Sequence, residues 1–428
     1  MRGNHKQKLL PRMRFPEFHN DGEWKKEKLA KFLVESRIEG STGDTAKKIT
    51  VKLWGKGVFA KEEPIKGSEN TKYYKRRAGQ FIYSKLDFLN QAFGIVPKEL
   101  DGFESTVDLP CFDINDELNA IFLLEYVKRN DFYKKNGEIA DGGRKAKRIQ
   151  TDVFLSFPII LPAHNAEQQK IADCLSSLDD LLTAEVQKLD ALKKYKKGLM
   201  QQLFPREDES IPRLRFPEFR EADEWKIVPM GSLLKREPEY GVNAPAVSYS
   251  DDLPTYLRIT DIDEDGSFLC KSKVSVDIVA KDAHYLEAGD IVLARTGASV
   301  GKSYRHRSEH GRLVFAGFLI RVRPEPKKID PIFLSHFLNS QRYWQWVSVT
   351  STRSGQPGIN GTEYASLPVP VPPNGADNNR TLEQKHIADL LSSTDDLITA
   401  QSHKIDALKN HKKGLMQQLF PVLDEVSA

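Results

Sequence analysis

Three stretches of this chain concentrate side chains that could bond phosphate: "KYYKRR" (72–77), "GRKAKR" (143–148) and "KSYRHRSEHGR" (302–312). Cationic groups interleaved with tyrosine suit contact with a polyanion. They also suit a solvated loop, and at this level both readings stand. The whole-chain balance does not choose between them, because 64 Lys and Arg against 60 Asp and Glu leave a net charge of only +4.

Other chemical motifs fail on spacing. "GASVGKS" (297–303) imitates a phosphate-binding loop, but Gly297 and Gly301 enclose three residues where that motif has four. "DIDEDG" (261–266) places Asp261, Asp263 and Asp265 as a calcium loop would begin, yet the twelfth position is Ser272 rather than a bidentate glutamate. A turn between strands is expected there. Cys111, Cys174 and Cys270 are widely separated, outside any CxxC pattern, and read as reduced thiols. The chain has no HExxH, and no glycine-rich motif for a methyl-donor cofactor. No catalytic residue and no metal ligand is therefore assigned, and the chain reads as a binder. No apolar run is long enough to span a bilayer, and no signal-peptide stretch follows the basic start, which predicts a cytoplasmic protein without a membrane partner.

The elements that would carry these side chains are organised by an internal duplication. Residues 167–205 and 383–421 share 28 identities in 39 positions at a constant offset of 216, including an unchanged "KKGLMQQLFP". "PRMRFPEFHNDGEW" (11–24) likewise recurs as "PRLRFPEFREADEW" (212–225), at an offset of 201. Between these constant pieces lie two inserts without comparable identity. The implied divisions are 1–166, 167–205, 206–382, 383–421 and a tail at 422–428.

In the repeated segment apolar residues follow a 3-4 spacing that predicts a long heptad helix. Its seam runs through Ile171, Leu175, Leu178, Leu182, Leu189, Leu192, Leu199 and Leu203 in the first copy. In the second it runs through Ile387, Leu391, Ile398, Ile405, Leu408, Leu415 and Leu419. Polar residues interrupt it at Glu185, Lys196, Thr394, Gln401 and Lys412, where they can fix register and orientation. Pro205 and Pro421 should stop the helices. An antiparallel pairing of the two copies is expected, with the contacts of the Pro205–Pro212 junction recurring between Pro421 and Pro11. The lysines near the helix ends either complement the helix dipole or meet a partner or phosphate. Phe15, Phe18, Phe216 and Phe219 either pack at domain junctions or dock a partner.

Strand patterns in the second insert cover 255–262 and 266–276, and 288–304 reads as a strand followed by a glycine-punctuated loop; "RLVFAGFLIRVRP" comes next, before a helix around 331–347. "AGQFIYSKLDF" (78–88) is the first insert's counterpart of "AGDIVLARTGA", and 116–133 that of the later helix. The fold class is α+β: two mixed α/β domains joined by two long heptad-patterned helices forming an antiparallel coiled coil, with a pseudo-twofold internal repeat.

Taken in order, "GDIVLARTGASVGK", "SGQPGING" (354–361), "LPVPVPP" and "EQKHIADLL" closely resemble the specificity subunit of type I restriction-modification systems. "GQFIYSK", "KRIQTDVFLSFPIILP" and "EQQKIADCL" repeat the series in the first half, so the resemblance covers nearly the whole chain. It implies two target-recognition domains, each reading one half of a bipartite site in double-stranded DNA, with the helices as a ruler. It also implies recruitment of two modification (methyltransferase) subunits and of restriction (endonuclease and translocase) subunits. S-adenosylmethionine, ATP and Mg would belong to those partners, and no cofactor to this chain. A specificity subunit serving a methylation-only complex, or a coiled-coil scaffold without a nucleic-acid role, are the alternatives.

Within that frame, residue type nominates the DNA-contacting side chains. In the first insert they are Lys72, Tyr73, Lys75, Arg76, Arg77, Lys85, Arg144, Lys145, Lys147 and Arg148. In the second they are Arg258, Thr260, Arg295, Thr296, Lys302, Arg305, Arg307, Ser354 and Gln356. Each could equally be a surface or fold-supporting residue. Gly297, Gly301 and Gly355 are assigned to backbone geometry.

Overall fold

A computed structural model describes residues 9–62, 67–138, 148–263, 266–352, 357–373 and 381–421. They fall into two compact units. Unit 1 combines the chain up to Val186 with the segment from His403 onward, and unit 2 is Gln187–Ser402.

Unit 1 contains β1 (Lys25–Lys28), β2 (Leu33–Ser36), β3 (Ile38–Thr42), β4 (Ile49–Val51), β5 (Val58–Ala60), β6 (Lys72–Lys75), β7 (Phe81–Tyr83), β8 (Phe93–Ile95), β9 (Glu104–Ser105) and β10 (Cys111–Ile114). Helices α1 (Ala120–Val127), α2 (Asn130–Gly137) and α3 (Thr151–Ser156) follow, then β11 (Pro158–Leu161) and the start of α4 (Asn165–Leu203). Unit 2 takes up the rest of α4. It continues through β12 (Lys226–Pro229), β13 (Glu239–Tyr240), β14 (Ala246–Ser248), β15 (Thr255–Leu257), β16 (Val274–Val276), β17 (Ile291–Ala294), β18 (Ser303–Arg305), β19 (Leu313–Phe315) and β20 (Leu319–Val322). Helices α5 (Pro331–Phe337), α6 (Gln341–Thr350) and α7 (Gly361–Ala365) come next, then β21 (Pro368–Val371) and α8 (Leu382–Leu419), whose last turns return to unit 1.

The two units share one plan. Their four-stranded sheets have orders β2-β10-β7-β8 and β13-β20-β17-β18, so the "GQFIYSK" and "GDIVLAR" strands occupy equivalent places. Each unit pairs a strand that follows its "RFPEF" segment with the strand that precedes its long helix, β1 with β11 and β12 with β21, both antiparallel. The outer sheets differ: unit 1 has β3-β6-β9 and the hairpin β4-β5, whereas unit 2 has β14-β16-β15-β19.

The helices expected over 116–133 and 331–347 are each two helices. Asn119 and Asp330 cap α1 and α5 by accepting the N–H groups of Ile121 and Phe122, and of Ile332 and Phe333. Extended backbone at Arg129 and Ser340 then restarts the chain, and the Ser340 hydroxyl caps α6 at Tyr343. The strand expected over 266–276 shrinks to Val274–Val276. Upstream of it, Leu269 donates its N–H to the Asp261 carbonyl and Cys270–Ser272 form a 3-10 turn, so the chain folds back instead of extending.

The duplicated framework closes each core in the same way. In unit 1 Phe420, from the end of α8, packs edge-on against Trp24 at 6.3 Å and against Phe122 at 5.3 Å. In unit 2 Phe204, from the end of α4, meets Trp225 at 6.5 Å and Phe333 at 5.2 Å. The Met13 N–H donates to the Gln418 carbonyl, as the Leu214 N–H does to Gln202. The contacts of the Pro205–Pro212 junction thus recur between 9–24 and 418–421. Burying each phenylalanine contributes about 1.5–3 kcal/mol.

A buried bidentate ion pair fastens each "RFPEF" segment to the first turn of a long helix. Arg14 bonds Glu167 through Nε and Nη2, both at 2.7 Å. Arg215 bonds Glu383 at 2.8 and 2.9 Å. Phe15 and Phe216 pack beside these pairs as partly buried members of the two cores, and Phe216 and Phe219 both meet the His386 ring at 5.4 Å.

Within each unit the long helices run antiparallel. In unit 1 Lys412 pairs with Asp179 at 2.7 Å and Lys404 with Glu185 at 2.6 Å. In unit 2 Lys196 pairs with Asp395 at 2.5 Å. Every apolar seam residue is buried or half-buried, and the polar interruptions Glu185, Thr394 and Gln401 are buried with them.

Candidate nucleic-acid interface

In unit 1 the strand β6 presents exposed Lys72 and Lys75, half-buried Tyr73 and, just beyond its end, exposed Arg77. Tyr73 also lies under the Lys48 ammonium, 5.6 Å from its ring centre. Arg76 is not on this surface. It is 1% exposed, and its guanidinium donates to Ser105 Oγ and the Ser36 carbonyl at 2.8 Å each, and to the Leu109 carbonyl at 3.3 Å. Burial pulls its pKa down. Its neighbours are those of a structural cation that ties β6 to β2 and β9. Lys85 is half-buried, and Arg148 faces Asp108 at 3.5 Å. Arg144, Lys145 and Lys147 lie outside the described residues.

The hairpin β4-β5 supplies a residue that residue-type reasoning missed. Trp54, at its tip, is 58% exposed and has a left-handed backbone with φ of 62°. Gln91, at 53°, is the other non-glycine residue with positive φ among the described residues. The two strained sites touch: Trp54 N–H donates to the Asn90 carbonyl at 2.7 Å, and Gly55 N–H to that of Gln91 at 2.9 Å. An exposed tryptophan held in a costly conformation beside Lys52 and Lys56 is suited to stack on a base. The signal in the sequence was a tryptophan inside "KLWGKG", a turn otherwise built of lysine and glycine.

In unit 2 Arg305, at the end of β18, is half-buried, and burial followed by the nearby Arg307 charge lowers its pKa. Arg307 is exposed, with Glu309 at 3.5 Å. Both line a cleft of about 1570 Å³, together with Lys193, Lys197 and Arg342. Asp263, Asp395 and Asp396 lie on its walls as well, so the cleft carries both signs of charge. Arg342, also missed from the sequence, donates to the Arg206 carbonyl at 2.9 Å.

The remaining candidates are spread over the unit. Arg258 is fastened to the buried Asp261 by bonds of 2.7 and 3.0 Å, which raise its pKa, while Thr260 is exposed. Arg295 lies 4.9 Å over the Tyr240 ring, Thr296 is half-buried, and Lys302 donates to the Ile262 carbonyl at 3.2 Å. Ser354, Gly355 and Gln356 lie outside the described residues. The loop that imitates a phosphate site is a structural turn. Gly297 and Gly301 have φ of 74° and 88°, and a Cβ on Gly301 would come within 2.7 Å of Val347. In the calcium-like run Asp261 serves Arg258 and Asp263 accepts the Ser267 N–H at 2.7 Å, while Asp265 lies outside the described residues. Among the described residues no group of His, Cys, Asp and Glu could hold a metal ion, and no helix is long and apolar enough to cross a membrane. Burial pushes the Cys111 thiol up to about 12, which leaves it unreactive.

Residues 110–194 and 229–410 match the sequence family described as Type I restriction modification DNA specificity domain. The type I restriction enzyme MjaVIII specificity subunit of Methanocaldococcus jannaschii is 23% identical over 326 residues, covering 72% of this chain and 70% of that protein. A protein of the same organism named as the type I restriction enzyme MjaX specificity subunit is 30% identical over 168 residues, so the match spans only 38% of its length. Among solved structures, the type I restriction-modification S subunit of M. genitalium aligns over 97% of this chain and all of its own, with a TM-score of 0.58 at 14% identity.

Proposed function

We propose, since this chain belongs to the family of type I restriction-modification specificity subunits, that it reads a bipartite site in double-stranded DNA, one half-site per mixed α/β domain. The observation that carries this reading is the contrast inside the duplication. The ion pairs and core aromatics that seat each domain are repeated residue for residue, and Asp330 stands where the other domain has the Asn119 cap, while the outer sheets and their basic side chains differ. A frame kept constant around unlike surfaces suits two readers of different half-sites. The contacts would come from Lys72, Tyr73, Lys75, Arg77 and Trp54 in one domain. In the other they would come from Arg258, Thr260, Arg295, Arg305 and Arg307. The role is one of recognition. Adenine methylation with S-adenosylmethionine, and ATP-driven restriction, would be supplied by modification and restriction subunits recruited by the constant segments.

The helices α4 and α8, of 39 and 38 residues, are each roughly 57 Å long. One turn of B-DNA is ~34 Å, so helices of this length can set the separation of half-sites about one turn apart. The test is to sequence modified adenines in cells carrying this chain with its partner subunits. Exchanging one insert should change one half of the motif and leave the other. Lengthening both helices by four residues, ~6 Å, should lengthen the unread spacer by one or two base pairs. Loss of both halves on a single exchange, or an unchanged spacer, would sink the reading.

A further inference from the structure

The polar interruptions at Lys412 and Lys196 have a use beyond register. In unit 1 Lys412 lies between Asp179 of α4, at 2.7 Å, and Glu125 of α1, at 2.9 Å. Glu125 is 2% exposed and also holds Lys128 at 2.8 Å. Its Oε2 meets Lys412 as an ion pair and lacks an aligned hydrogen bond. Burial alone would raise the Glu125 carboxyl, but Lys128 and Lys412 overcome it and hold the group below its usual range.

Unit 2 repeats two of these three groups and changes the third. Lys196 and Asp395 stand at the repeat positions of Lys412 and Asp179 and pair at 2.5 Å. Glu125 is the sixth residue after the α1 cap Asn119, and the sixth after the α5 cap Asp330 is His336. Its Nδ1 is 4.0 Å from Asp395 and its Nε2 3.4 Å from Ser392 Oγ. Burial, then the charges of Lys196, Arg305 and Arg307, push His336 down to about 3, so it is neutral. The caps of α1 and α5 are themselves tied to the long helices, through Gln168 to the Asn119 N–H at 2.9 Å and Gln384 to the Asp330 N–H at 2.7 Å.

We propose that each trio is the joint that seats a recognition domain on the helix pair: the Lys–Asp pair is a common socket, and Glu125 or His336 is the domain's own key, acting as a positioning residue for half-site reading. This rests on the specificity reading above. A socket of one cation and one half-exposed anion accepts either an anionic or a neutral key, which lets inserts of unlike sequence use the same frame. It also makes equivalent substitutions unequal. Removing Lys412 leaves the buried Glu125 carboxylate with Lys128 alone to offset its charge. Removing Lys196 leaves a neutral imidazole and an aspartate that water can reach.

The experiment uses the full chain at pH 7.5 and follows hydrogen exchange in α1 and α5. Lys412→Met should lower protection of 120–127 by about 100-fold or more, whereas Lys196→Met should change 331–337 by less than about tenfold. Lys412→Met with Glu125→Met should recover most of the loss. Glu125→His, which gives unit 1 the trio of unit 2, should stay within tenfold of the parent. Equal effects of the two lysine substitutions, or a double variant no better than Lys412→Met, would overturn the joint. With the partner subunits present, Lys412→Met should relax only the half-site read by unit 1. An unchanged modification motif would make the trio a stabiliser and overturn its positioning role. A parent chain that directs no bipartite modification would overturn instead the DNA-specificity reading.

Discussion

Replacing Arg215 with Met removes the cation that fastens the second "RFPEF" segment to α8. Arg215 is 8% exposed and Glu383 5%, so the carboxylate left behind cannot simply hydrate. The carbonyls of Ala222 and Asp223, which accept from Arg215 at 2.7 and 3.2 Å, lose their donor as well. Breaking a buried pair from one side costs about 3–5 kcal/mol. That is a large part of the 5–15 kcal/mol that holds a typical domain. With a urea dependence of about 2–3 kcal/mol per molar, the midpoint of the unit 2 transition should fall by about 1–2 M. Buried Trp225 reports that transition by fluorescence, and Trp24 is its counterpart in unit 1, where Arg14→Met should act on Glu167 in the same way. The double variant Arg215→Met, Glu383→Met should lose less than the single one, because no charge is stranded. A shift below about 0.3 M for Arg215→Met, or a double variant that is the worse of the two, refutes the argument.

Acid should weaken unit 2 first. The unfolded chain protonates His336 near its ordinary 6.5 while the folded chain resists to about 3, so this contribution is complete above pH 6.5 and declines as pH falls below it. The slope is about 1.4 kcal/mol per pH unit. His306 and His310, lowered mainly by burial, act in the same direction. Glu125, held low, keeps its contribution until pH falls through the carboxylate range. Urea unfolding at pH 7.5 and 5.0 should therefore shift the unit 2 transition more, and His336→Gln should flatten the difference; equal shifts in the two units would contradict it. Arg76 and Arg77, adjacent in sequence, should separate cleanly. Arg76→Met should cost unit 1 about 2–4 kcal/mol by orphaning its acceptors, whereas Arg77→Ala should leave stability within about 0.5 kcal/mol and lower the salt slope of DNA binding by about one.

The parts most legible in the sequence were those set by period and identity. The heptad seam, the prolines after the helices and the recurrence of the junction contacts follow from 3-4 spacing and repeated words. What stayed hidden depends on where side chains meet across long sequence separations. Arg76 reads like its neighbours in "KYYKRR" because period-2 alternation does not say which face of a short strand meets a second sheet. Trp54 was overlooked because its strain comes from the turn at Phe88–Asn90, more than thirty residues away. Arg342 and the cleft it lines come together only when α6 is placed beside the end of α4. Extended backbone at Arg129, and at Ser340 whose hydroxyl caps α6, broke two expected helices.

The last turns of α8 complete the core around Trp24, whereas Phe204 does the same service for Trp225 from within a continuous stretch. Synthesis therefore treats the two units differently. Everything that unit 2 needs has left the ribosome once Ser402 is clear of the exit. Unit 1, begun first, must wait with Trp24 and Phe122 uncovered until Phe420 arrives. Its closing contacts join residues almost four hundred positions apart, a separation that slows folding and prolongs exposure of apolar surface. The half of the molecule made earliest is thus the half finished last.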